Sequence, residues 1–150
     1  MVKTFKQFKN GKVKKVGNPI FADHERLLTL GVPSAFDARS QWPSCIHSVR
    51  NQKTCGSCYA FSAVGMLEDR FCIATQGNIN VRLSPEDMVT CDYNNGGCVG
   101  GLLSSTINFL ITEGVVSDEC KPYASGVGVN GFCEFSCADP SVAYEKYACK

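Results

Sequence analysis

The first 44 residues of this 150-residue chain contain no cysteine; all ten cysteines fall between Cys45 and Cys149. Histidine is almost as scarce, with only His24 and His47, and Trp42 is the sole tryptophan. No run of about 18 apolar residues occurs, which excludes a helical membrane span. Nothing after Met1 has the apolar core of a signal peptide. The net charge is only +1, so there is no bulk attraction to nucleic acid or to a membrane surface. Lys3, Lys6, Lys9, Lys12, Lys14 and Lys15 all precede the first acid, Asp23, and read as a solvated tail. Within it, Asn10-Gly11 suits the type I′ turn of a small hairpin.

The remainder is ordinary for one globular domain, at 44% hydrophobic and 19% charged residues. Ten cysteines at this length ask for an oxidising compartment, yet no leader is visible. The expectation is therefore an upstream start, a processed chain or an incomplete one. Residues 1–31 form a basic, cysteine-free lead, a remnant pro-segment in one reading. Its stretch 22–28 has helical spacing for one or two turns, and Val32-Pro33 ends any helix there.

Beyond the lead, three helices are legible. The first begins near Ser57-Cys58 and runs to about Ile73, with apolar residues at 60, 61, 64, 67 and 71 and Gly77 past its end. The second opens at Ser84-Pro85-Glu86-Asp87: a capping hydroxyl, proline at the first helical position, then two acids facing the dipole. The third covers about Leu102 to Thr112, with Leu103, Ile107, Leu110 and Ile111 as its apolar stripe and Gly114 as terminator. From Cys120 onward, closely spaced glycines and cysteines read as stapled loop. Strand signals are sparse.

The segment Gln52-Lys53-Thr54-Cys55-Gly56-Ser57-Cys58-Tyr59 carries the chemistry. A cysteine at a helix N-terminus meets unpaired backbone N–H groups and the positive end of the dipole, which favour the nucleophilic thiolate. Gly56 and Ser57 let a substrate backbone approach. The Gln52 amide, six residues upstream, can fold back as a donor. Beside the Cys58 N–H it would stabilise a tetrahedral oxyanion, worth about 3 kcal/mol where such donors have been removed. Taken alone, Cys55-x-x-Cys58 suits a redox or metal pair better than a peptidase.

The flanking residues resolve this. The stretch resembles the active-site signature of papain-like cysteine peptidases, Cys-Gly-[Ser/Ala]-Cys-[Trp/Tyr]. Val32-Pro33-Ser34-Ala35-Phe36-Asp37-Ala38-Arg39 resembles the start of a mature cathepsin. Gln41-Trp42-Pro43-Ser44-Cys45, Leu83-Ser84-Pro85-Glu86-Asp87 and Thr90-Cys91 are similar to the cathepsin B branch. Gly97-Cys98-Val99-Gly100-Gly101 and Cys120-Lys121-Pro122-Tyr123 resemble further family elements. The likeness covers roughly residues 32–137.

The resemblance implies an α+β fold, here mainly the helical lobe with most of the β-barrel lobe missing, over 32–150. It implies Cys58 as nucleophile and Gln52 as oxyanion-hole amide, with Gly56, Ser57, Gly100 and Gly101 against the substrate. By the same likeness Cys45 pairs with Cys72, Cys55 with Cys98, Cys91 with Cys133 and Cys120 with Cys137. Cys58 and Cys149 are then left over. No metal or cofactor is expected, and the partner is a peptide or protein substrate. Family and cysteine usage together imply a lysosomal, vacuolar or secreted protein.

Three departures qualify the expectation. Tyr59 stands for the commoner Trp, and Val99 for the Asn beside the two glycines. The loop between Cys120 and Cys133 is short and lacks the histidine pair of the branch's dipeptide-trimming members, which implies an endopeptidase. Above all, the family's His and Asn lie about 130–150 residues beyond the Cys, whereas His24 and His47 both precede Cys58. Both read as ordinary surface or loop histidines, so the chain alone is expected to be a very poor catalyst. A partner chain supplying His and Asn is one alternative. Another is a lobe retained as an inactive structural or interaction protein. A disulfide-stapled redox module comes last.

Overall fold

The computed structural model describes residues 2–4 and 33–149. The Asn10-Gly11 turn and the helical stretch at 22–28 lie outside the described residues. In chain order the elements are strand β1 (Val2–Thr4) and helices α1 (Ala38–Gln41), α2 (Cys58–Ala74), α3 (Pro85–Cys91) and α4 (Leu103–Thr112), then strand β2 (Lys146–Ala148). Two 3-10 turns, Gly97–Val99 and Ser125–Val127, punctuate the loops. β1 and β2 pair in parallel, with Val2 opposite Lys146 and Thr4 opposite Ala148. Most of the described chain is therefore helix and stapled loop.

α2 is the spine. It packs against α3 and α4, and its inward face buries Tyr59, Ala60, Ala63, Val64, Leu67, Glu68, Phe71 and Cys72. Leu83, Met88, Leu110 and Val115 complete a core that water does not reach. Burying each such side chain contributes roughly 1.5–3 kcal/mol before entropy is set against it. The helix ends in a Schellman motif, with Gly77 N–H on the Cys72 carbonyl (2.8 Å) and Gln76 N–H on that of Ile73 (3.2 Å). Gln76, at φ 53°, takes the left-handed position itself, and Gly77 follows it.

α3 starts as its sequence dictates: Ser84 Oγ accepts from Asp87 N–H at 3.0 Å and Pro85 opens the helix. All seven of its residues are buried, so the two acids do more than face the dipole. Glu86 accepts from Ala124 N–H, Ser125 N–H and Ser125 Oγ–H at 2.7–3.0 Å. Asp87, wholly buried, accepts from Lys121 Nζ and Lys146 Nζ, each at 2.7 Å, and from Val116 N–H at 3.2 Å. Each carboxylate thus anchors a distant piece of irregular chain.

α4 corrects the expected stripe. Leu110 is buried, but Leu103, Ile107 and Ile111 are 61%, 36% and 43% exposed, while Thr106 and Phe109 face the core instead. The cause is polar. Thr106 Oγ1 donates to the Leu102 carbonyl (2.9 Å) and receives Asn95 Nδ2 (3.2 Å). A satisfied hydroxyl can be buried at little cost, and that turns the leucine and isoleucines outward. Gly114 closes the helix at φ 72°, where a Cβ would lie 2.6 Å from the Tyr147 carbonyl oxygen.

Candidate active site

Four disulfides join Cys45 to Cys72, Cys55 to Cys98, Cys91 to Cys133 and Cys120 to Cys137. Two thiols remain: Cys149, half-buried, and Cys58, exposed. Cys58 is the first residue of α2, a helix of 17 residues. Its neighbourhood is fixed from both sides. Upstream, the Cys55–Cys98 bridge and Gly56 N–H on the Cys98 carbonyl (2.8 Å) lock Cys55-Gly56 to the Gly97–Val99 turn. At Gly56 a Cβ would sit 2.6 Å from the Cys98 oxygen, so only glycine permits this approach. Downstream, Tyr59 is buried with its hydroxyl donating to the Gly97 carbonyl at 3.2 Å. Burial, and then the charge of Asp92, push that phenol up to about 12. It stays a neutral donor throughout the physiological range.

Gln52 Nε2 donates to the Cys55 carbonyl at 2.9 Å, which folds the amide back toward the start of α2. One of its two N–H bonds is thereby used. Gly100 and Gly101 form the turn opposite Cys55-Gly56. Gly100 has φ 130° and open space where a Cβ would be, so backbone conformation is what demands glycine there. At Gly101 the demand is packing, since Asn95 Oδ1 and the Tyr59 ring occupy the Cβ position at 2.6 and 2.8 Å. Val99 beside them is almost fully exposed.

Three side chains, of which only Tyr123 belongs to a motif, hold this corner together. Asn130 Oδ1 accepts from Cys98 N–H at 2.7 Å, and Asn95 Oδ1 accepts from Leu102 N–H at 2.7 Å. Tyr123 OH donates to the Gln52 carbonyl (2.9 Å) and lies 2.8 Å from Ser57 Oγ. Only Tyr123 had a local signal, the Cys-x-Pro-Tyr element; the two asparagines reach across loops.

His47 is not near this chemistry. Its Nε2 pairs with Asn80 Oδ1 at 2.8 Å, and its Nδ1 lies 3.4 Å from Glu68 and 3.8 Å from Asp69. His24 lies outside the described residues. Two surface concavities, of about 470 and 280 Å³, are lined by Asn80–Arg82 with Ser117–Glu119 and by His47–Arg50 with Phe61 and Glu68; Cys58 lines neither. The thiol stands exposed on the surface. No helix among the described residues is long and apolar enough to cross a membrane.

A helical, disulfide-stapled lobe with an unbridged thiol at the head of the longest helix among the described residues is the arrangement that a thiol nucleophile needs. The chain belongs to the papain family of cysteine proteases, whose family pattern matches residues 32–149. Within that family its curated relatives are of the cathepsin B kind. Cathepsin B-like CP3 of Giardia intestinalis is 44% identical over 110 residues, 73% of this chain and 37% of that protein. Cathepsin B of Dictyostelium discoideum is 47% identical over 98 residues, 64% of this chain and 31% of that protein. Among solved structures, procathepsin B S9 from Trypanosoma congolense superposes with a TM-score of 0.74 at 27% identity, covering 83% of this chain and 44% of that one. The chain thus spans about a third of the length of the curated relatives it matches.

Proposed function

We propose that this chain is the nucleophile-bearing lobe of a cysteine-type endopeptidase acting on peptides or proteins in a lysosomal, vacuolar or secreted setting. The single observation that carries the proposal is the exposed, unbridged Cys58 heading α2. In the reaction, the Cys58 thiolate attacks the scissile carbonyl carbon. The C–S bond forms while the carbonyl electrons move to oxygen, where the Cys58 N–H and the free Gln52 amide N–H receive them. Collapse breaks the C–N bond and releases the amine, and water then hydrolyses the thioester. Gly56, Gly100 and Gly101 form the backbone ledge along which the substrate lies, whereas Ser57, expected there from the motif, is wholly buried.

Two proton transfers remain unserved. The thiol must lose a proton and the amine must gain one, tasks for an imidazole. His47 is held by Asn80 and Glu68. In this reading the base and its asparagine orienter are supplied by the other lobe of the peptidase, and the helical lobe alone is expected to be a very poor catalyst. A second reading, an inactive lobe kept for assembly, is favoured by the outward apolar face of α4, Leu103, Ile107 and Ile111. Incubation with an epoxysuccinyl peptide separates the outcomes. Slow labelling confined to Cys58, abolished in Cys58→Ser and without peptide turnover, is expected. Fast labelling and turnover at neutral pH would refute the dependence on an outside base.

A further inference from the structure

Ser57 stands at the N-cap of α2, where a serine hydroxyl ordinarily accepts from the second or third helical N–H. Here its side chain makes no capping bond. The hydroxyl, fully buried, points instead to Tyr123 OH at 2.8 Å. The phenol has one proton and gives it to the Gln52 carbonyl at 2.9 Å, which leaves Ser57 the donor in their mutual bond, the Cys55 carbonyl at 3.5 Å being the weaker acceptor for the serine. Among the described residues the N–H groups of Cys58 and Tyr59 are left without a hydrogen-bond acceptor. Phe61 holds the tyrosine ring edge-on at a centroid distance of 4.7 Å.

We infer that Tyr123 is a positioning residue for the nucleophile: it draws the Ser57 hydroxyl off the cap position and so keeps the first donors of α2 open for the Cys58 thiolate. The inference rests on the assignment of Cys58 as nucleophile and adds how the reactive state is protected. A Tyr123→Phe chain keeps the ring packing against Phe61 but frees Ser57. Its hydroxyl then turns to accept from Tyr59 N–H and competes with the thiolate for the helix field. Tyr59, Tyr123 and Asp92 are the ionisable side chains at this corner.

The test is the rate of iodoacetamide alkylation of Cys58 in the native chain, resolved from Cys149 by peptide mass mapping. Tyr123→Phe should slow it about threefold near pH 7, the size of a helix-end charge effect. Near pH 9.5, where an ordinary thiol is mostly ionised, its rate should equal the parent's. Adding Ser57→Ala to Tyr123→Phe should restore the neutral rate, and Ser57→Ala alone should change little. Four intact bridges and an unchanged far-UV CD spectrum verify the fold of each variant. Equal neutral rates for Tyr123→Phe and parent would overturn the inference, as would a double variant no faster than Tyr123→Phe. Failure of the underlying assignment looks different: Cys58 would resist alkylation in the parent itself.

Discussion

A serine precedes both α2 and α3, and the two helix starts do opposite things. At α3 the hydroxyl of Ser84 caps, proline fills the first position, and Glu86 and Asp87 bind every donor brought to them. At α2 the hydroxyl of Ser57 is drawn aside, glycine precedes it, and the first residue is an exposed thiol. One end is satisfied and buried; the other is unsatisfied and open. The same local chemistry thus builds either a structural anchor or the proposed reactive edge, according to what the rest of the fold offers the serine.

That contrast is sharpest at Asp87. Replacing it by alanine leaves Lys121 and Lys146 facing each other across a dry gap, and removing one partner of such a buried group typically costs about 3–5 kcal/mol. Urea unfolding of Asp87→Ala should show a loss of that size. A loss below about 1 kcal/mol, the range of exposed ion pairs, would mean the site is wetter than described. Next come the two serines. Ser84→Ala should lose about 1 kcal/mol of stability, the usual worth of a cap. Ser57→Ala removes no cap but a buried bond to Tyr123, whose loss is also worth about 1 kcal/mol. The two differ in amide exchange: Ser84→Ala should speed exchange of the Asp87 N–H and Ser57→Ala should leave the first N–H groups of α2 unchanged, and faster exchange there would erase the distinction between the two ends.

The smallest effect belongs to Asp118, beside Arg50 and Arg82. Partial burial holds its carboxyl above the ordinary 3.8, against the opposing pull of Arg50 and Arg82. A raised folded value means that its contribution is full below 3.8 and lost as pH rises through the folded value. At neutral pH the ionised group is therefore a slight liability. Asp118→Asn should raise the midpoint of thermal unfolding at pH 7, and the gain should vanish toward about pH 3. A gain that grows on acidification would show the charge to be favourable instead.

How much of this was legible beforehand follows from distance along the chain. The start of α2 and the capped start of α3 rest on residues within three or four positions, and sequence periodicity places both. The buried face of α4 depends on Asn95 reaching Thr106 from another loop, so apolar spacing alone chose Leu103, Ile107 and Ile111 wrongly. The lysines of Asp87 come from 34 and 59 residues away, and nothing in Ser84-Pro85-Glu86-Asp87 announces them. At the site, the Cys-x-x-Cys-Tyr motif supplied Cys58, Gly56 and Gln52. The Tyr123 clamp needed coordinates, because its hydroxyl bridges Gln52 and Ser57 from about 70 residues downstream.

Most direct of all is a thiol census of the native, unreduced chain. Alkylation followed by peptide mapping should find Cys58 labelled without denaturant and Cys55 recovered in a bridged peptide with Cys98. Recovery of Cys58 in a disulfide, or its labelling only after unfolding, would contradict the account of α2 as a reactive edge.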